Sequence, residues 1–154
     1  MSDVVISLTH LHLAQAEILS QARRFNVVNC GRRWGKDTMA TNLFCEGGID
    51  GYPVAWFNPT YKMLAETWRD VSRTMQPIAS RVRSDEHRIE LATGGVLDMW
   101  SLDSPDVARG RKYKRVIVNE AAMIPALLDA WIYVIRPTLA DFDGDAWFLS
   151  TPKG

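Results

Sequence analysis

Cysteine is scarce in this chain. There are two among 154 residues, Cys30 and Cys45. Their spacing suits neither a metal site nor a disulfide framework, which points to a reducing compartment. Charge of one sign is lacking too. Eighteen Lys and Arg stand against eighteen Asp and Glu, so no global electrostatic footprint for nucleic acid exists, and any such contact must come from a local patch. No apolar run is long enough to span a membrane, and the start M-S-D-V-V-I-S-L has no signal-peptide layout. The three histidines, His10, His12 and His87, show no metal spacing. Repeats and low-complexity tracts are absent. What remains is 47% hydrophobic and 23% charged, an ordinary globular composition long enough for one domain with a real core.

Short apolar strands alternate with helical stretches. The periodicity predicts a helix over about 8–23, with Leu11, Leu13, Ala14, Ile18 and Leu19 on its apolar face. Strands are expected at Phe25–Asn29, Val54–Asn58, Val116–Val118 and Ala146–Leu149. Helices are expected from Lys36 to about Glu46, stopped by Gly47-Gly48, after Pro59-Thr60-Tyr61 through about Met75, and from Pro125 to about Val134. Arg88–Leu91 and Val96–Ser101 flank Thr93-Gly94-Gly95, a hairpin signal. This alternation argues for an α/β fold, a mostly parallel sheet flanked by helices with a β-hairpin insertion. Chemistry in such sheets gathers at the carboxyl ends of the strands. Those ends carry Asn29-Cys30-Gly31, Asn58-Pro59-Thr60, Asn119-Glu120 and Ser150-Thr151.

The stretch N-V-V-N-C-G-R-R-W-G-K-D-T, Asn26 to Thr38, has the layout of a phosphate-binding loop. A strand enters a Gly-containing turn and Gly35-Lys36 opens a helix. Backbone N–H groups, the helix dipole and a lysine charge then converge on an anion. Gly31, Arg32, Arg33, Trp34, Gly35, Lys36, Asp37 and Thr38 are the candidate phosphate contacts. A lysine in the first helical turn opposes the helix dipole, so Lys36 makes best sense with an anion beside it. Arg32 is a candidate sensor of the terminal phosphate; its plain reading, like that of Arg33, is a solvated or DNA-facing cation. Two positions depart from G-x-x-x-x-G-K-[ST]: Cys30 replaces the first glycine and Asp37 the hydroxyl.

The string K-R-V-I-V-N-E-A-A reads as a buried strand ending in two polar residues, the Walker B form. Glu120 is placed to polarise an attacking water. Asn119 stands where a magnesium-holding Asp is usual. Negative Asp37 and neutral Asn119 together carry the charge of the usual hydroxyl and Asp, so the two are read as an exchanged Mg²⁺ pair. Rival readings give the hydroxyl role to Thr38 or make Asn119 inactivating. Gln15, upstream of the loop, is either an adenine reader or a surface glutamine. Arg109 to Arg115 hold five basic residues in seven. Most read as solvated; the sharper reading makes Arg109 a finger into a neighbouring subunit, or else Lys112 and Lys114 DNA contacts, and the sequence does not choose between the two. Ser150 and Thr151 are small hydroxyls placed to sense the terminal phosphate, or else an ordinary turn. Trp34, Trp56, Trp100, Trp131 and Trp147 read as packing residues.

Taken in order, C-G-R-R-W-G-K-D-T, N-P-T-Y, W-S-L-D-S-P-D-V-A-R-G-R-K-Y, V-I-V-N-E-A-A and L-S-T-P-K-G resemble the large terminase subunit of tailed bacteriophages. The resemblance implies a P-loop NTPase of the additional-strand, catalytic-glutamate type, with the Ala146–Leu149 strand between the loop strand and the Walker B strand. It implies an ATPase that uses ATP and Mg²⁺ to drive double-stranded DNA into a procapsid, in the host cell cytoplasm. Expected partners are the portal protein, the small terminase subunit and further copies in a ring. Gln15 would match the adenine motif, Lys36 the loop lysine, Glu120 the catalytic glutamate, Arg109 the trans-acting finger, and Ser150-Thr151 the coupling motif. It also implies that residues 1–154 are the N-terminal part of an ATPase domain, without the remainder of that domain or a nuclease domain. Two other readings stay open: a helicase-like DNA translocase, and a nucleotide-binding module without hydrolysis.

The charge exchange carries its own test. Asp37→Thr or Asn119→Asp alone should lose ATP hydrolysis, and the double change should restore it. Strictly additive losses in steady-state phosphate release would contradict the exchange.

Overall fold

A computed structural model describes residues 6–8, 10–31, 35–103 and 108–152. Its elements are α1 (Leu13–Ser20), β1 (Phe25–Asn29), α2 (Lys36–Ile49), β2 (Pro53–Asn58), α3 (Tyr61–Met75), β3 (Ala79–Arg83), β4 (Arg88–Leu91), β5 (Val96–Ser101), β6 (Arg115–Val118), α4 (Leu127–Ala130), α5 (Arg136–Thr138) and β7 (Asp145–Ser150). Seven strands form one sheet in the order β1-β7-β6-β2-β5-β4-β3. Pairing is parallel from β1 through β5 and antiparallel at β5-β4 and β4-β3. The expected α/β class, the hairpin and the position of β7 between the strands ending at Asn29 and Val118 are all present.

The central strands are apolar because both their faces are covered. Val54, Ala55, Trp56 and Phe57 of β2 and Val116, Ile117 and Val118 of β6 are fully buried or nearly so. One core lies under α2 and α3, around Phe44, Trp56, Leu64, Met75 and Leu97. The other lies under α4 and α5, around Phe57, Tyr113, Val134, Ile135 and Leu139. Thr60 opens α3, its hydroxyl accepting from the Met63 N–H at 3.3 Å. Leu64, Val71 and Met75 recur at helical spacing on the face α3 buries.

Four expectations need correction. The first helix is shorter than 8–23, running only from Leu13 to Ser20, and Leu13 is 89% exposed rather than on the apolar face. Its start is set by His12, whose ring nitrogen accepts from the Gln15 N–H while the Gln15 side-chain carbonyl accepts from the His12 N–H. Gly47-Gly48 does not stop α2, which runs on to Ile49. A side chain at Gly47 would meet Val54 at 2.7 Å, and one at Gly48 would meet Leu97 at 2.7 Å. The pair lets α2 press onto β2 and β5. The stop is at Asp50-Gly51, where Gly51 takes φ 96 and donates to the Gly48 carbonyl. The helix expected over Pro125–Val134 is broken into α4, a wide π turn over Trp131–Ile135, and α5. Pro137 lacks the N–H that would continue a regular ladder there. Finally, β3 was not foreseen after Pro77: A-S-R-V-R has little apolar signal, as suits a charged edge strand.

Gly95 in the hairpin turn packs directly on the backbone of Gly48; a Cβ there would lie 2.7 Å from the Gly48 carbonyl carbon. Gly95→Ala should therefore cost about 3 kcal/mol or more. Gly94 has open space and only its positive φ of 92 to protect, so Gly94→Ala should cost about 1 kcal/mol. Urea midpoints of the two variants check the ranking.

Candidate functional site

The carboxyl ends of β1, β7, β6 and β2 bring the expected site residues together. Gly35 precedes α2 with φ 85, a left-handed conformation that glycine adopts without strain. Lys36 follows and is only 3% exposed. Its ammonium lies 3.5 Å from Glu120 Oε1. A buried lysine at a helix N-terminus needs such a carboxylate or another anion, since dipole and desolvation both oppose its charge. Glu120 lies two residues past β6 with φ 47 and ψ 50, an unusual conformation for a residue with a Cβ. Strain of this kind gathers where a side chain must be aimed.

Strand β7 lies between the two and supplies the clamp. The Thr151 hydroxyl donates to Glu120 Oε1 at 3.2 Å, and the Ser150 hydroxyl accepts from the Ala122 N–H at 3.2 Å. Both candidate coupling hydroxyls thus hold the segment that carries Glu120. Gln15 is buried rather than on the surface. Its Nε2 donates to the Gly35 carbonyl at 2.7 Å, tying α1 to the loop. Gly31 has open space around its α-carbon. Thr38 stands half-buried in the first turn of α2. Arg32, Arg33 and Trp34 lie outside the described residues.

Asp37 and Asn119 line one pocket of about 190 Å³, with Thr41, Trp56, Glu66, Thr67, Asp70 and Val71. Desolvation raises the Asp37 carboxyl above its ordinary range; Lys36 opposes this and Glu120 adds to it. Asn119 donates through Nδ2 to Asn58 Oδ1 at 3.2 Å, and its own Oδ1 is buried without a partner. A carboxylate and a free amide oxygen on one pocket are oxygen donors of the kind a hard divalent cation takes, partly through water. The residues therefore fit Mg²⁺, although among the described residues no cluster of three His, Cys, Asp or Glu could hold an ion by itself. A larger cleft of about 500 Å³ lies between α3 and the hairpin and contains none of the expected site residues.

The basic loop is less solvated than its composition suggests. Arg115 makes a two-pronged contact with Asp145 at 2.8 and 3.1 Å, and Lys112 pairs with Asp141 at 2.8 Å. Lys114 donates to the Phe142 carbonyl and lies over the Tyr52 ring, and Arg111 lies over Trp100. Arg109 is exposed on the turn before Gly110. Trp56 and Trp147 are buried, and Trp100 and Trp131 pack against the second core. Of the cysteines, Cys45 is buried and its thiol is pushed up to about 12, which makes it inert; Cys30 is half-buried beside the loop. Asn58 was read only as one polar strand end among several. Its buried contact with Trp56 follows from W-x-N on one strand, which places the two on the same face, and its contact with Asn119 from the pairing of β2 with β6.

No protein-family model matches the chain. Curated relatives do. The large terminase subunit of Thermus phage G20c is 42% identical over 93% of this chain and 34% of its own length. That of Escherichia phage T5 is 30% identical over 85% of this chain and 31% of its own length. The chain is a homologue of phage large terminase subunits. It spans about a third of the length of these relatives. An arginine-to-alanine variant of the large terminase ATPase domain of Thermus phage P74-26 superposes with a TM-score of 0.78 at 26% identity, over 94% of this chain and 66% of that one. The large terminase of a thermophilic bacteriophage in complex with ADP shares the fold, with a TM-score of 0.66 at 15% identity, over 89% of this chain and 35% of that one. The sheet is that of the terminase ATPase domains.

Partial desolvation raises the Asp37 carboxyl although the residue is exposed at the start of α2, so its charge opposes folding modestly above the raised value, and the opposition vanishes below the ordinary carboxylate range, where both states are protonated. Asp37→Asn should therefore raise the melting temperature at pH 7, without added nucleotide or metal. The gain should disappear as the pH falls toward 4. Thermal scans across that range check it.

Proposed function

We propose that this chain is the ATPase module of a motor that packages double-stranded viral DNA into a procapsid. The observation that carries the reading is the meeting of Lys36 and Glu120 at 3.5 Å across β7, with Thr151 on the same carboxylate. Homology to phage large terminase subunits and likeness to a terminase ATPase domain support it. A helicase-like translocase shares the loop and the glutamate, but the relatives do not favour it. Residues 1–154 then cover the N-terminal part of such an ATPase domain.

Lys36 and the N–H groups at the start of α2 bind the β- and γ-phosphates of ATP. Gly31, Arg32, Arg33, Trp34, Gly35 and Thr38 complete the loop's contacts, and Gln15 reads the adenine with the amide hydrogen its bond to Gly35 leaves free. When phosphate takes Lys36, Glu120 is released to orient the attacking water and receive its proton. Asp37 and Asn119 would hold Mg²⁺ and its waters, which supplies neutralisation of charge on the phosphate oxygens. Ser150 and Thr151 pass the loss of the terminal phosphate to the segment around Ala122. Arg32 in the same subunit, or Arg109 from a neighbouring copy in a ring, stabilises charge on the transferring group. The portal protein and the small terminase subunit are the expected partners, at the procapsid in the host cytoplasm. No described helix is long and apolar enough to cross a membrane.

Phosphate release from ATP in Mg²⁺ buffer is the test, with the relatives' remaining domains supplied if the chain alone is silent. Glu120→Gln should lower kcat about 10²- to 10⁴-fold while fluorescent ADP still binds. Lys36→Ala should lose binding as well. Stimulation by portal-bearing procapsids supports packaging; stimulation by DNA alone favours the helicase-like reading. Hydrolysis indifferent to Glu120→Gln would overturn the assignment.

A further inference from the structure

The amide of Asn119 has one orientation imposed on it, and a tryptophan imposes it. Trp56 Nε1 lies 3.2 Å from an oxygen-or-nitrogen position of the Asn58 amide, and Asn119 lies 3.2 Å from the same atom. Indole N–H can only donate. The shared atom of Asn58 must therefore be its oxygen. What Asn119 turns toward it must then be its Nδ2, a donor. The Asn119 carbonyl is left over, and it is indeed buried without a partner. All three side chains are nearly closed to solvent: Trp56 is 1% exposed, Asn58 0% and Asn119 6%. Nothing in this order can be reversed without placing two donors or two acceptors face to face.

The geometry assigns to Trp56 and Asn58 the role of positioning residues that leave the Asn119 carbonyl oxygen unpaired, on a side chain that lines the pocket shared with Asp37. This rests on the proposed Mg²⁺ reading of that pocket and deepens it. It also accounts for asparagine at this strand end. An aspartate there would set a carboxylate oxygen against Asn58 Oδ1, acceptor against acceptor, and Trp56 forbids Asn58 to turn over. Charge balance with Asp37 and hydrogen-bond polarity against Asn58 are thus separate demands on residue 119. Asp37→Thr answers the first alone, so the recovery expected of Asp37→Thr with Asn119→Asp is completed only when Trp56→Phe is added.

The test is a double-mutant cycle on the chain without nucleotide or metal, read as melting temperature against pH. Asn119→Asp should lower the melting temperature by about 5 °C at pH 8. The loss should fade as the new carboxyl protonates on approach to pH 4 and becomes a donor. Repulsion from the other groups around that position, Asp37, Glu66, Asp70 and Glu120, with Lys36 opposing, is also pH-dependent but does not depend on Trp56. In a Trp56→Phe background Asn58 is free to turn, and the loss on Asn119→Asp should shrink by at least half. Asn58→Ala provides the same cycle if Trp56→Phe does not fold. Losses that add within about 1 °C in both backgrounds overturn the proposal. As a second readout, Trp56→Phe should raise the Mg²⁺ concentration that enhances fluorescent ADP binding by about tenfold and leave binding without Mg²⁺ unchanged. An unchanged Mg²⁺ requirement overturns the positioning role. A parent chain whose ADP binding ignores Mg²⁺ instead removes the metal reading, and the melting cycle then decides the orientation by itself.

Discussion

The contact on which the site depends is one ammonium meeting one carboxylate across an intervening strand. Lys36 follows β1 and Glu120 follows β6, and β7 separates them. Two strand spacings come to about 9.6 Å, within reach of one long side chain from each side. The span is possible only if the end of β7 stays low. Serine and threonine at 150 and 151 meet that condition and contribute hydroxyls to the same segment. A bulky residue at 151 would crowd the carboxylate that Lys36 meets. The strand order is therefore a chemical requirement as well as an architectural one.

Much of this was legible from pattern. β1, β2, β6 and β7 are apolar runs that end in polar residues, and burial on both faces leaves such strands little choice of composition. The parts that escaped are those where a residue's meaning comes from a distant neighbour. Gly47-Gly48 looks like a helix stop until Val54 and Leu97 are seen against it. Gln15 looks like a surface residue until Gly35, twenty positions on, is found at the end of its amide. The edge strand β3 is hidden because exposure removes the apolar alternation that would reveal it. Positive charge at Lys112, Lys114 and Arg115 gives no hint of Asp141, Phe142 and Asp145, which come into range only once β7 is inserted beside β6.

The site shows the same dependence at closer range. Asn119 departs from the usual strand-end aspartate, and counting charge relates it to Asp37. Hydrogen-bond direction relates it instead to Asn58 and Trp56, two residues on one face of β2. The first relation is visible in a string of letters. The second requires knowing that β2 and β6 are neighbours in register, with Phe57 beside Val118.

The packing of Gly95 against Gly48 bears on how firmly Lys36 is placed. Backbone rests on backbone there, with no side chain between to change rotamer and absorb displacement. Helix α2 is thus anchored at its far end to the turn joining β4 and β5, while its near end carries Lys36. Fourteen residues make a rod of about 21 Å. Between those ends Met39, Ala40, Phe44 and Cys45 are fully buried, so the helix is seated on the sheet along its length and the hairpin turn helps to fix where the lysine stands.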